Sequence, residues 1–175
     1  VKSWGYGGDY ERDTDPNSGN FCCNGIVSPD GTPKPAMWTC KYVYQPIEFA
    51  MVDKDVLRVS LKNRNFHRTT RSYAYSWEIK DETGVLQSGV LEVPAMLPGE
   101  SVEVMVPAKK ISFKPGAVYM LNIYVKDTAD LPYAGPGHFH SSEQFVLNER
   151  VAPETPQAKG KAPVVSESAG QVLVK

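Results

Sequence analysis

Five acids, Asp9, Glu11, Asp13, Asp15 and Asp30, precede the first stretch with any apolar period. Two carboxyl groups held at a fixed separation can work as acid and base, or as acid and nucleophile. These acids alternate with turn-formers: Gly7-Gly8, Pro16-Asn17-Ser18-Gly19-Asn20 and Gly31-Thr32-Pro33. A loop without rigid support cannot hold a carboxylate pair to catalytic tolerance. The ordinary reading is therefore solvated or turn-forming carboxylates, and no catalytic residue is assigned. Asn24-Gly25 admits two readings, a tight turn or an amide offered by the loop.

The other reactive side chains are few. Cys22, Cys23 and Cys40 are an odd set that closes no disulfide framework, so the reduced state is the simple expectation. Zinc would need a second cysteine pair or histidines at ligand spacing. His138 and His140 lie far along the chain at alternate, strand-like positions, and metal binding through the cysteines is set aside. A pH-sensitive site at the two histidines would need a carboxylate or nucleophile partner, and none stands in sequence reach, so they read as surface or packing residues.

The bulk properties remove whole classes of partner. The 175 residues carry 19 basic against 20 acidic side chains, which leaves no clustered positive charge for nucleic acid or an anionic membrane. No apolar run reaches the length of a bilayer span, and Val1 opens no signal-peptide pattern. A hydrophobic content of 41% is enough for one real core. The cysteines lean towards a reducing compartment, cytoplasmic before periplasmic, without fixing an address.

Residues 1–36 form a long stretch without periodicity, and such a loop is normally functional or part of something larger. Pro35 then opens a short helix through Tyr44, with Met37, Cys40, Lys41 and Tyr44 on one face. From Ile47 the period changes to two. Strands are expected at 48–52, 56–61, 73–80, 84–92, 101–106, 118–126 and 141–147. Val56, Val59 and Leu61 point to one side of the second, and Leu121, Ile123 and Val125 to one side of the sixth. Seven short strands with turn signals between them, and Trp77 in the third, give a mainly β fold: an immunoglobulin-like antiparallel sandwich without the disulfide. Residues 151–163 are a proline-rich linker. Beyond it, 164–175 holds strand-like Val164-Val165 and Gln171–Val174 and is expected as the first strand of a further unit.

Tyr6-Gly7-Gly8-Asp9-Tyr10, then Asn20-Phe21-Cys22-Cys23-Asn24-Gly25-Ile26-Val27, then Thr32-Pro33-Lys34-Pro35-Ala36 resemble the lacZ-type β-galactosidases of glycoside hydrolase family 2. The similarity continues through Ser76-Trp77-Glu78-Ile79, Pro98-Gly99-Glu100 and Ala134-Gly135-Pro136-Gly137-His138 to Glu143-Gln144-Phe145. The early motifs in fixed order are specific; the sandwich alone would not be. The resemblance implies four segments. Residues 1–45 would end a catalytic (β/α)8 barrel, 46–150 would be the sandwich, 151–163 the linker, and 164–175 the start of a further domain.

The resemblance also implies function. Its members hydrolyse terminal non-reducing β-D-galactosides by a retaining two-carboxylate mechanism, with the catalytic glutamates on earlier barrel strands, so this stretch alone is expected to be inactive. Phe21, through its backbone carbonyl, and Asn24, through its side-chain oxygen, correspond to ligands of a sodium ion that meets the galactose 6-hydroxyl, and Asn24 also touches that hydroxyl. Magnesium belongs to the family but finds no ligands here. The implied partners are a β-galactoside, the other domains of the same chain, and further copies in a homo-oligomer. Trp4 and Tyr6 suit sugar stacking or a former core equally and stay unassigned. The segment from Asp9 to Phe21 is about two residues longer than the family spacing, a length change that loops tolerate, so no role passes to Asp13 or Asp15. The competing reading is a free-standing immunoglobulin-like module that binds sugar or protein.

Overall fold

The computed structural model describes residues 9, 16, 23–149 and 164–174. Among the described residues one α-helix precedes the strands, α1 (Pro35–Val43). Proline at its start costs nothing, because the first helical N–H groups have no partner in any case. Lys41 in the last turn suits the negative end of the helix dipole. The Tyr44 N–H closes the end on the Cys40 carbonyl at 2.9 Å, and Pro46 keeps Gln45 out of helical geometry.

The seven strands that follow are β1 (Ile47–Asp53), β2 (Arg58–Asn63), β3 (Tyr73–Asp81), β4 (Gly84–Val90), β5 (Ser101–Met105), β6 (Met120–Asp127) and β7 (His138–Val146). They form two antiparallel sheets, β1-β2-β5 and β4-β3-β6-β7. This is an immunoglobulin-like sandwich with one strand moved: β4 lies beside β3, where the constant-type immunoglobulin order puts the fourth strand in the sheet of the first, second and fifth. The expected strand set is present. Val56 is the exception inside it: it is exposed in the β1–β2 turn, where Asp53 Oδ1 accepts from the Asp55 N–H at 2.9 Å and ends β1. The last strand starts at His138, three residues before the expected Ser141, because β7 continues past a register shift opposite Val125 and Lys126.

Period-two burial builds the core. Ile47 and Phe49 on β1 and Val59 and Leu61 on β2 face Tyr73, Tyr75, Trp77 and Ile79 on β3 and Leu121, Ile123 and Val125 on β6. Each such side chain contributes about 1.5–3 kcal/mol relative to staying in water. Trp77 is buried between the sheets and gives its indole N–H to the Val90 carbonyl at 3.3 Å. Its ring lies against Gly89, where a Cβ would stand 3.1 Å from Nε1. Asn63 is fully buried and ties three segments: Nδ2 donates to the Arg68 and Met96 carbonyls at 2.9 and 3.2 Å, and Oδ1 accepts from the Asn65 N–H at 3.0 Å.

Residues 164–174 hold β8 (Val165–Ser168) and β9 (Gln171–Val174), a hairpin turning at Ala169-Gly170, both with positive φ. The two segments that are strand-like in the sequence, at Val165 and at Gln171–Val174, lie in these strands. Each supplies the other's hydrogen-bond partners.

Candidate functional site

Asn24 stands at the entrance to a small turn that leads into α1. Val27 bridges Pro33, Ser28 N–H reaches the Thr32 carbonyl at 2.9 Å, and Lys34 N–H reaches the Ile26 carbonyl at 2.9 Å. Asp30 is a turn-former as its neighbours suggest: its Oδ1 accepts from the Thr32 N–H at 2.9 Å, and that bond holds its carboxyl below the usual range. The left-handed residues in this segment are Cys23, with φ of 60°, and Gly31, with φ of 83°, and neither Asn24 nor Gly25 has positive φ. The tight-turn account of Asn24-Gly25 therefore loses its reason. Asn24 is exposed, and among the described residues its side chain makes no hydrogen bond.

Lys34 extends its ammonium to the Cys23 carbonyl, so one backbone oxygen next to Asn24 is already occupied by a cation. A hard cation takes several oxygen ligands. The Asn24 amide oxygen has the right chemistry but supplies one donor. Phe21 lies outside the described residues, as do Trp4, Tyr6, Cys22, Glu11, Asp13 and Asp15. Asp9 is described and exposed. Among the described residues no three His, Cys, Asp or Glu side chains converge to hold a metal. Cys23 and Cys40 are free thiols.

The helix that follows Asn24 is fastened to the sandwich. Tyr42 donates its hydroxyl to Glu143 on β7, at 2.8 Å from Oε2, and that bond raises the pKa of the phenol. Gln45 Oε1 accepts from the Ser142 N–H at 3.0 Å, and Ser141 Oγ accepts from the Ile47 N–H at 3.3 Å. Lys41 holds its ammonium 5.2 Å from the centroid of Phe139. The stripe that meets β7 is thus Trp38, Lys41, Tyr42 and Gln45, at one-turn spacing. The expected face was Met37, Cys40, Lys41 and Tyr44. Tyr44 is 81% exposed, because polar partners on β7, invisible to an apolar count, set the rotation of this short helix.

The two histidines differ from their sequence reading in one respect. The fold supplies His140 with the carboxylate that was missing in sequence reach: its Nε2 lies 3.1 Å from Asp127 Oδ2. Asp127 is fully buried at the end of β6, also paired with the Arg68 guanidinium and accepting from the Ala129 N–H at 2.9 Å. Burial pushes its carboxyl up, but bonds from Ala129, Ser72, His140 and Arg68 outweigh that and hold it at about 2. His140 is lowered as well, but for the opposite reason. Burial lowers its pKa more than Asp127 raises it, with His138 and Arg68 adding repulsion. The 3.1 Å contact is therefore a neutral imidazole N–H donating to a carboxylate, rather than an ion pair. Tyr73 packs on the His140 ring with centroids 5.0 Å apart. This cluster joins the β2–β3 loop to the ends of β6 and β7. The carboxylate thus comes from the fold, and the cluster ties these three segments together.

No helix among the described residues is long and apolar enough to cross a membrane. The family model "Beta-galactosidase, domain 4" matches residues 59–148, and "Glycosyl hydrolases family 2, TIM barrel domain" matches residues 2–49. The chain is 32% identical over 145 residues to a β-galactosidase of Aeromonas hydrophila, covering 82% of this chain and 14% of that protein. It is 33% identical over 145 residues to one of Alteromonas mediterranea, with 82% and 14% covered. With beta-galactosidase 2 of Enterobacter cloacae it shares 31% identity over 166 residues, 94% of this chain and 16% of the relative. The chain thus spans 14 to 16% of the length of these curated relatives. A sandwich of this strand order, matched across β2 to β7 by the one model and preceded by a barrel-type segment matched by the other, places the chain among the lacZ-type β-galactosidases of glycoside hydrolase family 2.

Proposed function

We propose that this chain serves a β-galactosidase as the brace between a catalytic barrel and the domains beyond it. Residues 1–45 complete the barrel, the sandwich of 46–150 holds that end in place, 151–163 link onward, and 164–175 open the next unit. The observation that carries this reading is the seam between α1 and β7. Tyr42 to Glu143 and Gln45 to Ser142 fix the helix on the sandwich, and the helix follows the Asn24 turn directly. A brace needs such directional bonds, because an apolar contact alone would let a short helix rotate.

The parent enzyme hydrolyses terminal β-D-galactosides with retention, using two carboxylates that residues 1–175 do not supply. Phe21 and Asn24 contribute oxygen ligands to sodium, and Asn24 also meets the galactose hydroxyl. The unbonded, exposed amide of Asn24 supports that role. When bound, sodium supplies a fixed positive charge that orients a sugar hydroxyl. The remaining ligands come from other barrel segments, as does any magnesium site. The parent is a homo-oligomer.

The direct test is nitrophenyl-β-galactoside hydrolysis by the purified 175-residue chain. No turnover above buffer is expected, and turnover that co-purifies with the chain overturns the reading. In the parent enzyme, Asn24→Ala is expected to raise KM and the sodium concentration needed for half-maximal rate. An unchanged sodium dependence removes Asn24 from the site.

A further inference from the structure

The outer face of the four-stranded sheet carries an ordered array that the brace does not require. Glu78 on β3 accepts two hydrogen bonds at Oε1, from Tyr124 hydroxyl at 2.6 Å and Asn122 Nδ2 at 3.0 Å. The other end of the Asn122 amide accepts from Gln144 Nε2 at 2.8 Å. Asn122 is 3% exposed, with both ends of its amide engaged, so it fixes its neighbours as a rigid central piece. A sheet needs only scattered polar groups to face water. Here the amides, a carboxylate and a phenol are locked in one plane across β3, β6 and β7.

Aromatic rings border this array. Tyr42 of α1 and Tyr124 of β6 line a hollow of about 420 Å³ with Asn122, Ser142 and Gln144. A second hollow of about 190 Å³ adjoins it, sharing Tyr42 and Ser142 and reaching Trp38 and Phe139. Trp38 is 61% exposed and Tyr42 50% exposed. The Tyr124 and Phe139 rings stand 6.2 Å apart between centroids. The two hollows lie side by side along the groove between helix and sheet, with Tyr42 and Ser142 as their common wall, the smaller one richer in aromatic rings and the larger one in amides.

The charges decide what suits it. Glu78 is tied by Tyr124 and Asn122, Glu143 by Tyr42 and the Gln144 N–H, and Lys80 lies 3.9 Å from Glu78. Lys41, over the Phe139 ring, and Lys80 stand against Glu78 and Glu143, so charges of the two signs balance and none is in excess to select an ion. Among the described residues, Gln144 Oε1 and the Ser142 hydroxyl are without partners and open on the groove. Rings for the apolar faces of a pyranose, with fixed amide and hydroxyl groups for its alcohols, match a neutral sugar chain. We propose that this groove is a binding surface for a neutral oligosaccharide, long enough to use both hollows and separate from the galactose contact assigned to Asn24.

The surface is tested by titrating the isotopically labelled 175-residue chain with lactose, cellobiose and a longer galacto-oligosaccharide while amide resonances are followed. Saturable shifts are expected at Asn122, Tyr124, Ser142 and Gln144, with the longer sugar binding more tightly than either disaccharide. Gln144→Ala is expected to weaken binding about five-fold; it also takes the donor from the buried Asn122 Oδ1 and lowers the thermal melt, so binding is compared at a temperature where both proteins are folded. Tyr124→Phe keeps the ring and checks that the loss follows the polar array. No saturable shift at these residues up to about 50 mM sugar overturns the proposal. So does binding that is indifferent to Gln144→Ala.

Discussion

His140 gives its ring N–H to Asp127 across 3.1 Å, joining a largely buried neutral imidazole to a carboxylate with no exposed surface. Both groups have folded-state pKa values below their ordinary ones. Unfolding therefore takes up protons in acid, and the stability each contributes is lost as pH falls.

His140 acts in the upper window. Its ordinary value is 6.5, and the folded value is lower, so stability starts to fall as pH drops through 6.5. Asp127 acts lower, between 3.8 and about 2. Its depression corresponds to on the order of 2 kcal/mol that is present above 3.8 and lost towards 2. Urea melts across pH should show two descending steps. His140→Gln should erase the upper step and keep the lower. An upper step that survives the substitution would assign it elsewhere.

Gly89 is held to hydrogen by Trp77. A Cβ there would meet the indole at 3.1 and 3.3 Å, tighter than most packed contacts, so the ring must give by a few tenths of an ångström. Gly89→Ala should cost about 1–2 kcal/mol in urea unfolding and change the Trp77 environment in near-ultraviolet circular dichroism. An unchanged midpoint would mean that the ring yields freely.

Tyr75 carries a buried hydroxyl with no hydrogen bond of ordinary geometry, although the Thr70 hydroxyl lies near enough to oppose slightly the rise that burial imposes. Burial dominates and pushes the phenol to about 12. Removing an unsatisfied donor relieves a desolvation cost, so Tyr75→Phe should leave stability unchanged or raise it by up to about 1 kcal/mol. A loss larger than that would show that the Thr70 contact is a real bond.

Tyr42→Phe removes the hydroxyl that binds Glu143 without disturbing the core, because Tyr42 lies on the surface. The global melt should change by less than about 1 kcal/mol. Amide exchange in α1 should accelerate while β3 and β6 keep their protection. Equal protection in both proteins would mean that Gln45 and Lys41 hold the helix by themselves.

The sequence alone determined the alternation that puts Leu121, Ile123 and Val125 on the core face and Asn122 and Tyr124 on the opposite face, because a strand's side-chain period is two whatever it pairs with. It also determined that Pro35 begins a helix and that Asp30 turns the chain, both of which depend on neighbours a few residues away. The tertiary structure decided what crosses between segments. It put Asp127 beside His140, through a register shift between β6 and β7 that no local pattern announces. It rotated α1 to present Tyr42 to Glu143, 101 residues away, over the apolar face expected from spacing. Asn122, Glu78 and Gln144 look in sequence like ordinary solvent-facing polar residues. Only sheet order, which brings β3, β6 and β7 side by side, turns them into one array, because hydrogen bonds between side chains depend on distance in space and leave no periodic trace along the chain.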